Sequence, residues 1–203
     1  MNRRSFLRSG AVASVVGLAG CLGDAEYRVS DVQVRDSPIP LDLTVETLDP
    51  NATVEGPARF AFSLRNPTQR SVSVRSTAVW PFGVLTLTTT RPSTAASQRA
   101  TLTPGMAEIT LFSPSYAESN NVTVGRNRNS MSTETTWVSR DIPAGETVRE
   151  AYQLYGDDIY ATGTYYLTVW SGLRPNQYRE NGEWSKIPLN VAMDVTRRKR
   201  LPI

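Results

Sequence analysis

The amino-acid sequence predicts an all-β protein, a single antiparallel β-sandwich that follows an N-terminal export segment. Three observations favour this fold. Apolar residues recur at every second position, turn-forming residues separate these runs at short intervals, and the opposite faces are rich in threonine and serine. No window of about eleven residues after the N-terminal segment has the i, i+3, i+4 spacing of an amphipathic helix. About ten short strands with frequent turns are typical of a sandwich.

The clearest alternation lies in residues 58–75. Phe60, Phe62 and Leu64 share one face of an extended segment, while the residues between them are small or polar. Residues 66–70, with the sequence NPTQR, have the composition of a turn, and the alternation resumes after them. We therefore predict that 58–75 forms an antiparallel strand pair with one solvated face.

The remaining strands are predicted from the same alternation. They are expected over 27–34, 41–47, 83–90, 107–112, 121–124, 135–139, the segment after a turn at 141–146, 163–170 and 187–195. Residues 163–170 are expected in the middle of the sandwich, with Tyr165, Leu167 and Val169 directed towards the second sheet. Residues 91–105 and 113–134 are predicted to be long, strand-poor connections.

The first 21 residues have the three-part layout of an export signal. Arg3, Arg4 and Arg8 lie in a segment without acidic residues, and a short apolar run over 11–20 follows. This run is shorter than the ~18–20 residues that a helix needs to cross a bilayer. The paired arginines resemble the twin-arginine signal of the Tat pathway. The sequence LAGC that ends at Cys21 resembles a lipobox, in which the cysteine sulfur receives the lipid.

Cys21 is the only cysteine of the chain, and this supports the lipobox interpretation. The alternative, a buried structural cysteine, is disfavoured because such residues normally lie within the strands or helices of the fold. The expected organisation is a signal peptide over 1–20, a tether over 21–26, a sandwich domain over 27–196 and a basic tail over 197–203. Together with 20 arginines against 2 lysines, the N-terminal segment resembles a haloarchaeal surface lipoprotein. The sequence departs from that pattern because it lacks an acidic excess.

Charge and composition exclude several classes of function. The full chain carries 22 basic and 19 acidic residues, and residues 1–20 contain three arginines, so the expected mature chain is neutral. No overall positive field therefore argues for nucleic acid. The chain contains no histidine, which excludes Ser-His-Asp and Cys-His catalysis and disfavours zinc and copper sites. No cofactor, metal ligand or catalytic residue is predicted.

Two groups of residues are candidates for binding sites. Gly156-Asp157-Asp158 would suit one edge of a calcium site, but its spacing favours a solvated hairpin turn. The aromatic clusters at 80–83 and at Tyr165, Tyr166 and Trp170 would form a contact patch if exposed. Burial in the core is the favoured interpretation, because aromatic side chains commonly fill a sandwich.

Two further groups concern the surface of the protein. Asn51 and Asn121 begin sequons for N-glycosylation, a pattern that also arises by chance. The basic run 197–200 would attract anionic lipid head groups, although a solvated tail is the favoured interpretation.

Three landmarks resemble immunoglobulin-like domains of the intracellular proteinase-inhibitor type. They are FAFSLRNPTQRSVSV, DIPAGETVREAYQL and GTYYLTVWSG, in this order within residues 58–172. The resemblance implies an immunoglobulin-like sandwich, and it supports the fold more than an inhibitory activity.

The functional prediction is a lipid-anchored, non-enzymatic binding module on the outer face of the cell membrane. Its partners would be the membrane, through Cys21, and an unidentified protein or glycan. Two alternatives stay open at this point. They are an accessory substrate-binding or carboxylate-based hydrolase domain, and a protease-inhibitor-like domain.

Overall fold

The computed structural model describes residues 26–53, 56–91, 108–124 and 131–198, and it confirms the all-β fold. The described residues form fifteen strands and two single-turn 3-10 helices, at Pro114–Tyr116 and Gly156–Asp158. The strands are β1 Tyr27–Val34, β2 Asp42–Asp49, β3 Asn51–Ala52, β4 Ala58–Arg65, β5 Val72–Thr77, β6 Leu85–Thr88, β7 Ile109–Thr110, β8 Val122–Val124, β9 Met131–Thr133, β10 Trp137–Ile142, β11 Thr147–Leu154, β12 Gly163–Val169, β13 Gln177–Glu180, β14 Glu183–Lys186 and β15 Val191–Arg197.

These strands form four sheets in which every pairing is antiparallel. The largest sheet has the order β3-β1-β15-β12-β6-β7, a second has the order β10-β5-β13-β14, and a third has the order β11-β4-β2. The short strands β8 and β9 pair only with each other. The inner faces of the sheets share one hydrophobic core, as expected for a sandwich.

The centre of the core is aromatic. Phe60, Phe62 and Leu64 of β4 have no exposed surface, which confirms the face predicted from their alternation. The ring of Phe62 meets Phe82 edge to face at 6.0 Å and Tyr152 at 5.2 Å, so residues from three separate segments are fixed against one another.

The orientation of β12 also follows the prediction. β12 is an inner strand of the six-stranded sheet, paired with β15 on one side and β6 on the other. Tyr165 and Leu167 are buried, whereas Tyr166 and Thr168, which alternate with them, are only partly buried. The apolar side of the alternation therefore faces the core.

The prediction that residues 58–75 form a strand pair is wrong. Both strands exist, but they do not pair with each other. β4 belongs to the three-stranded sheet and pairs with β11 and β2. β5 belongs to the four-stranded sheet and pairs with β10 and β13. The segment between them is therefore a corner at which the chain changes sheets.

Asn66 explains why the corner does not close a hairpin. It is fully buried, and its Nδ2 group donates to the carbonyl oxygens of Arg70 at 2.7 Å and Ile142 at 2.8 Å. Its Oδ1 atom accepts from the backbone N–H of Thr68 at 3.1 Å. Its own backbone exchanges hydrogen bonds with the turn between β10 and β11. The side chain thus ties the end of β4 to that distant turn.

We expect Asn66→Ala to lower the free energy of unfolding by about 1–3 kcal/mol, because it removes the hydrogen bonds that the buried Asn66 amide makes at this corner. Chemical denaturation followed by fluorescence would measure the change. Gln69→Ala in the same corner is the control, since Gln69 is exposed and should change stability by less than about 0.5 kcal/mol. Equal losses in the two variants would contradict the role of Asn66.

The other predicted strands differ from the observed strands mainly in length. The strand predicted over 83–90 is limited to Leu85–Thr88, that over 107–112 to Ile109–Thr110, and that over 187–195 begins only at Val191. The hairpin of β13 and β14 was not predicted. Its two-residue turn is Asn181-Gly182, with φ of 53° and 98°, as the sequence Asn-Gly favours for a type I′ turn.

Candidate ligand-binding face

The outer face of the four-stranded sheet carries a cationic and aromatic cluster. Val72, Val74 and Ser76 of β5 are buried in the core, so the alternate residues of this strand lie on the outer face. The register places Ser139, Arg75, Gln177 and Lys186 side by side across the four strands. Charged and polar groups from all four strands are therefore presented on one surface.

Three arginines and two tryptophans alternate on this surface. The guanidinium carbon of Arg75 lies 4.4 Å from the ring centroid of Trp137 and 4.0 Å from that of Trp184. Arg174 lies 5.6 Å from Trp137, and Arg179 lies 4.9 Å from Trp184. All four distances are within the ~6 Å range of a cation–π contact. We call these five residues the arginine–tryptophan ladder.

The central arginine of the ladder is also held by hydrogen bonds. Its Nε and Nη2 groups donate to the Oε1 atom of Gln177 at 2.8 Å and 2.5 Å. Gln177 lies directly opposite Arg75 in the strand register, so the acceptor is fixed by the pairing of β5 with β13. This contact occupies one edge of the guanidinium group and fixes the plane of Arg75 between the two indole rings.

The ladder concentrates positive charge. Partial burial of Arg75, and then the charges of Arg174 and Arg179, lower the pKa of Arg75 from its ordinary value. Within the described ranges, no carboxylate lies within salt-bridge distance of these three arginines. By contrast, Arg149 on the three-stranded sheet pairs with Glu46 at 2.6 Å. A bound anion would relieve the repulsion among the ladder arginines.

Two local structures position the ends of the ladder. The Asn181-Gly182 turn places Trp184 directly opposite Arg179 across the hairpin. At the other end, buried Asn176 donates to the carbonyl oxygen of Phe82 at 2.8 Å and fixes the loop that carries Arg174. Thr77 donates to the carbonyl oxygen of Arg174 at 3.2 Å, which keeps this loop beside Trp137.

The aromatic clusters predicted from the sequence lie outside the arginine–tryptophan ladder. Phe82 and Tyr165 are buried, so the core interpretation is confirmed for them. Trp80, Tyr166 and Trp170 are partly buried, and the Nε1 group of Trp80 donates to the carbonyl oxygen of Val74 at 3.1 Å. Sequence reasoning missed the ladder as a site, although the Asn-Gly hairpin signal would have placed Arg179 beside Trp184.

Gly156-Asp157-Asp158 forms a 3-10 turn rather than a hairpin turn. A Cβ atom on Gly156 would lie 2.8 Å from the carbonyl oxygen of Ala52, so close packing against β3 requires glycine here. In the part of the chain that the structure describes, no group of three or more acidic, cysteine or histidine residues could hold a metal ion.

The side-chain amide groups of both sequon asparagines donate hydrogen bonds within the protein. The Nδ2 group of Asn51 donates to Asp49 at 3.0 Å, and that of Asn121 donates to the carbonyl oxygen of Ala78 at 3.2 Å. A glycan on either residue would be attached to this same nitrogen, which keeps one N–H for the hydrogen bond.

Two partly buried carboxylates have structural partners. Glu108 accepts from the side chains of Thr86 at 2.5 Å and Ser171 at 2.8 Å, which links β6 to the loop after β12. Glu150 accepts from the hydroxyl group of Ser113. Tyr116 and Tyr152 lie beside Glu150, and burial raises the pKa of both phenols well above the ordinary value.

The predicted export and anchoring residues Arg3, Arg4 and Cys21 lie outside the described residues, as do Lys199 and Arg200 of the tail. Arg198 is described, and it lies 3.9 Å from Glu26 at the start of the domain. A search of the described ranges for a helix long and apolar enough to cross a membrane found none.

The fold and the surface together define an all-β sandwich protein with a cationic, aromatic face on one sheet. Residues 1–203 match the family model described as Domain of unknown function (DUF8130), and the chain therefore belongs to that family. No curated protein and no solved structure matches the chain.

Proposed function

We propose that this protein is a lipid-anchored, extracytoplasmic binding module whose ligand binds across the arginine–tryptophan ladder. The observation that carries the proposal is the position of Arg75 between Trp137 and Trp184, with two exposed arginines at the ends of the ladder. The anchoring part rests on the twin arginines and on Cys21 behind its short apolar run.

The chemistry of the ladder suits binding rather than catalysis. Arginine stays protonated at any physiological pH, so these residues donate hydrogen bonds and do not exchange protons. A guanidinium group presents its N–H groups in a planar fork that matches a carboxylate or a sulfate. The indole rings hold the central fork in position before the ligand arrives, and this reduces the entropy cost of binding.

The test compares the full-length protein with two double variants that remove the same charge. Lipid-extracted cell envelopes are titrated with the detergent-purified protein, and the bound fraction is measured. Arg174→Gln with Arg179→Gln should weaken binding about tenfold or more, because charge-assisted hydrogen bonds to the ligand are lost. Both residues are exposed, so the variant should keep its melting temperature.

The matched control is Arg59→Gln with Arg65→Gln on the outer face of the three-stranded sheet. Both arginines are exposed, and this variant also loses two positive charges. It should bind envelopes like the original protein. The proposal fails if the two double variants weaken binding equally, or if the original protein does not bind envelopes at all.

A further inference from the structure

We infer that the ligand of the ladder is an acidic polysaccharide, a glycan chain whose repeated carboxylate or sulfate groups pair with Arg174, Arg75 and Arg179. This inference rests on the proposed function and names the chemical class of its ligand. Four observations support it: the closeness of the three charges, the direction of the ladder across the sheet, the contacts that hold the arginines in position and the polar groups beside them.

The ladder presents three positive charges close together. Arg75 and Arg174 both contact Trp137, and Arg75 and Arg179 both contact Trp184. The two guanidinium carbons that contact one tryptophan are therefore separated by at most the sum of their distances to that ring. A chain with repeated anionic groups can pair with all three arginines at once.

The direction of the ladder favours a glycan over a peptide that would add to the sheet as a strand. The ladder crosses the sheet diagonally, from Trp137 on the edge strand β10 to Trp184 on the edge strand β14. Between them lie β5 and β13, whose backbone groups are bonded within the sheet. A peptide that adds to a sheet lies along an edge and pairs through its backbone. A ligand along the ladder is recognised only through its pendant groups.

The aromatic rings hold the charges in position. Flexible surface arginines lose side-chain entropy when they bind an anion. Here Arg75 is held by two rings and by Gln177, while Arg174 and Arg179 each lie over a ring. Arginines held in this way suit a polymer with repeated anionic groups, because less side-chain freedom is lost when it binds.

Polar groups for hydroxyl contacts lie beside the ladder. Ser139 and Lys186 are exposed and stand in the same row as Arg75 and Gln177. Sugar hydroxyl groups both donate and accept hydrogen bonds, and these side chains offer both functions. The surface can therefore contact the sugar units as well as their anionic groups.

The experiment titrates the full-length protein in detergent with polygalacturonate, dextran sulfate and neutral dextran at moderate ionic strength. We expect binding to at least one of the two acidic polymers and none to neutral dextran. Arg174→Gln with Arg179→Gln should weaken this binding about tenfold or more, and Arg59→Gln with Arg65→Gln should leave it unchanged.

Two further probes test other sources of anionic groups. Polyglutamate that binds as tightly as the acidic polysaccharides, with the same dependence on Arg174 and Arg179, would overturn the inference in favour of an acidic peptide. The second probe is a phosphatidylglycerol vesicle. If polysaccharides do not bind, and these vesicles retain the original protein better than the variant with Arg174→Gln and Arg179→Gln, the inference is overturned in favour of lipid head groups.

The controls separate this inference from the proposed function. If envelopes bind through the ladder but no acidic polysaccharide does, the ligand class is wrong and the proposed binding face stands. If the Arg59 and Arg65 variant weakens polysaccharide binding as much as the ladder variant, attraction is non-specific and the inference fails. If the original protein does not bind envelopes, the proposed function itself is refuted.

Discussion

Replacing Leu167 with alanine is expected to lower the free energy of unfolding by about 2–5 kcal/mol, as measured by chemical denaturation. Leu167 is 1% exposed on an inner strand of the six-stranded sheet, where it pairs with Leu87. Its side chain belongs to the core that also contains Phe60 and Phe62. Removing it leaves a cavity that surrounding side chains on paired strands cannot easily fill.

The neighbouring residue Thr168 is the control for this prediction. Thr168 is only partly buried and lies on the opposite face of β12, so Thr168→Ala should cost less than about 1 kcal/mol. The two substitutions are adjacent in sequence. The difference between their losses in free energy of unfolding therefore shows which face of the strand is buried. A larger loss for Thr168→Ala than for Leu167→Ala would show that the register of β12 is wrong.

The sequence predicted strands and their buried faces better than their partners. The alternation in β4 and β12 identified the buried side correctly, because a period of two allows only two orientations. The pairing of β4 was not predictable from this alternation. It depends on Asn66, and one of the acceptors of its side chain, Ile142, is 76 residues away in the chain. A turn-like composition could not show that the residue was buried and bonded to a distant segment.

The candidate site was harder to predict than the fold. Arg75, Trp137 and Trp184 come from three separate parts of the chain, and only the register of the four-stranded sheet brings them together. In the sequence each is an isolated polar or aromatic residue. The contact between Arg179 and Trp184 was the one local signal, because a two-residue Asn-Gly turn sets the pairing of its flanking strands.

The family model extends over the N-terminal segment, but it carries no description of function. Membrane anchoring therefore remains a prediction that rests on the sequence around Cys21. Anchoring would strengthen binding at the ladder, since a tethered domain meets surface polymers at a high effective concentration. Weak contacts between a few arginines and a polymer would then be sufficient for stable association.

Cys21→Ala is expected to move the protein completely from the membrane fraction to the soluble fraction. The thiol is the attachment point that the lipobox resemblance implies, and the chain has no second cysteine to replace it. A single acyl chain gives only marginal membrane binding, so we expect two lipid chains on the original protein. Fractionation followed by immunoblotting measures the change, and mass spectrometry of the N-terminal peptide measures the added lipid.

Two variants make this result specific to the thiol. Ser14→Ala changes the apolar run but keeps Cys21, and it should remain in the membrane fraction. Arg3→Lys with Arg4→Lys keeps the charge but removes the paired arginines, and the unprocessed chain should accumulate in the cytoplasm. These outcomes distinguish a failure of lipidation from a failure of export. If Cys21→Ala stays in the membrane fraction after an alkaline wash, the protein is anchored by another segment and the lipobox assignment is wrong.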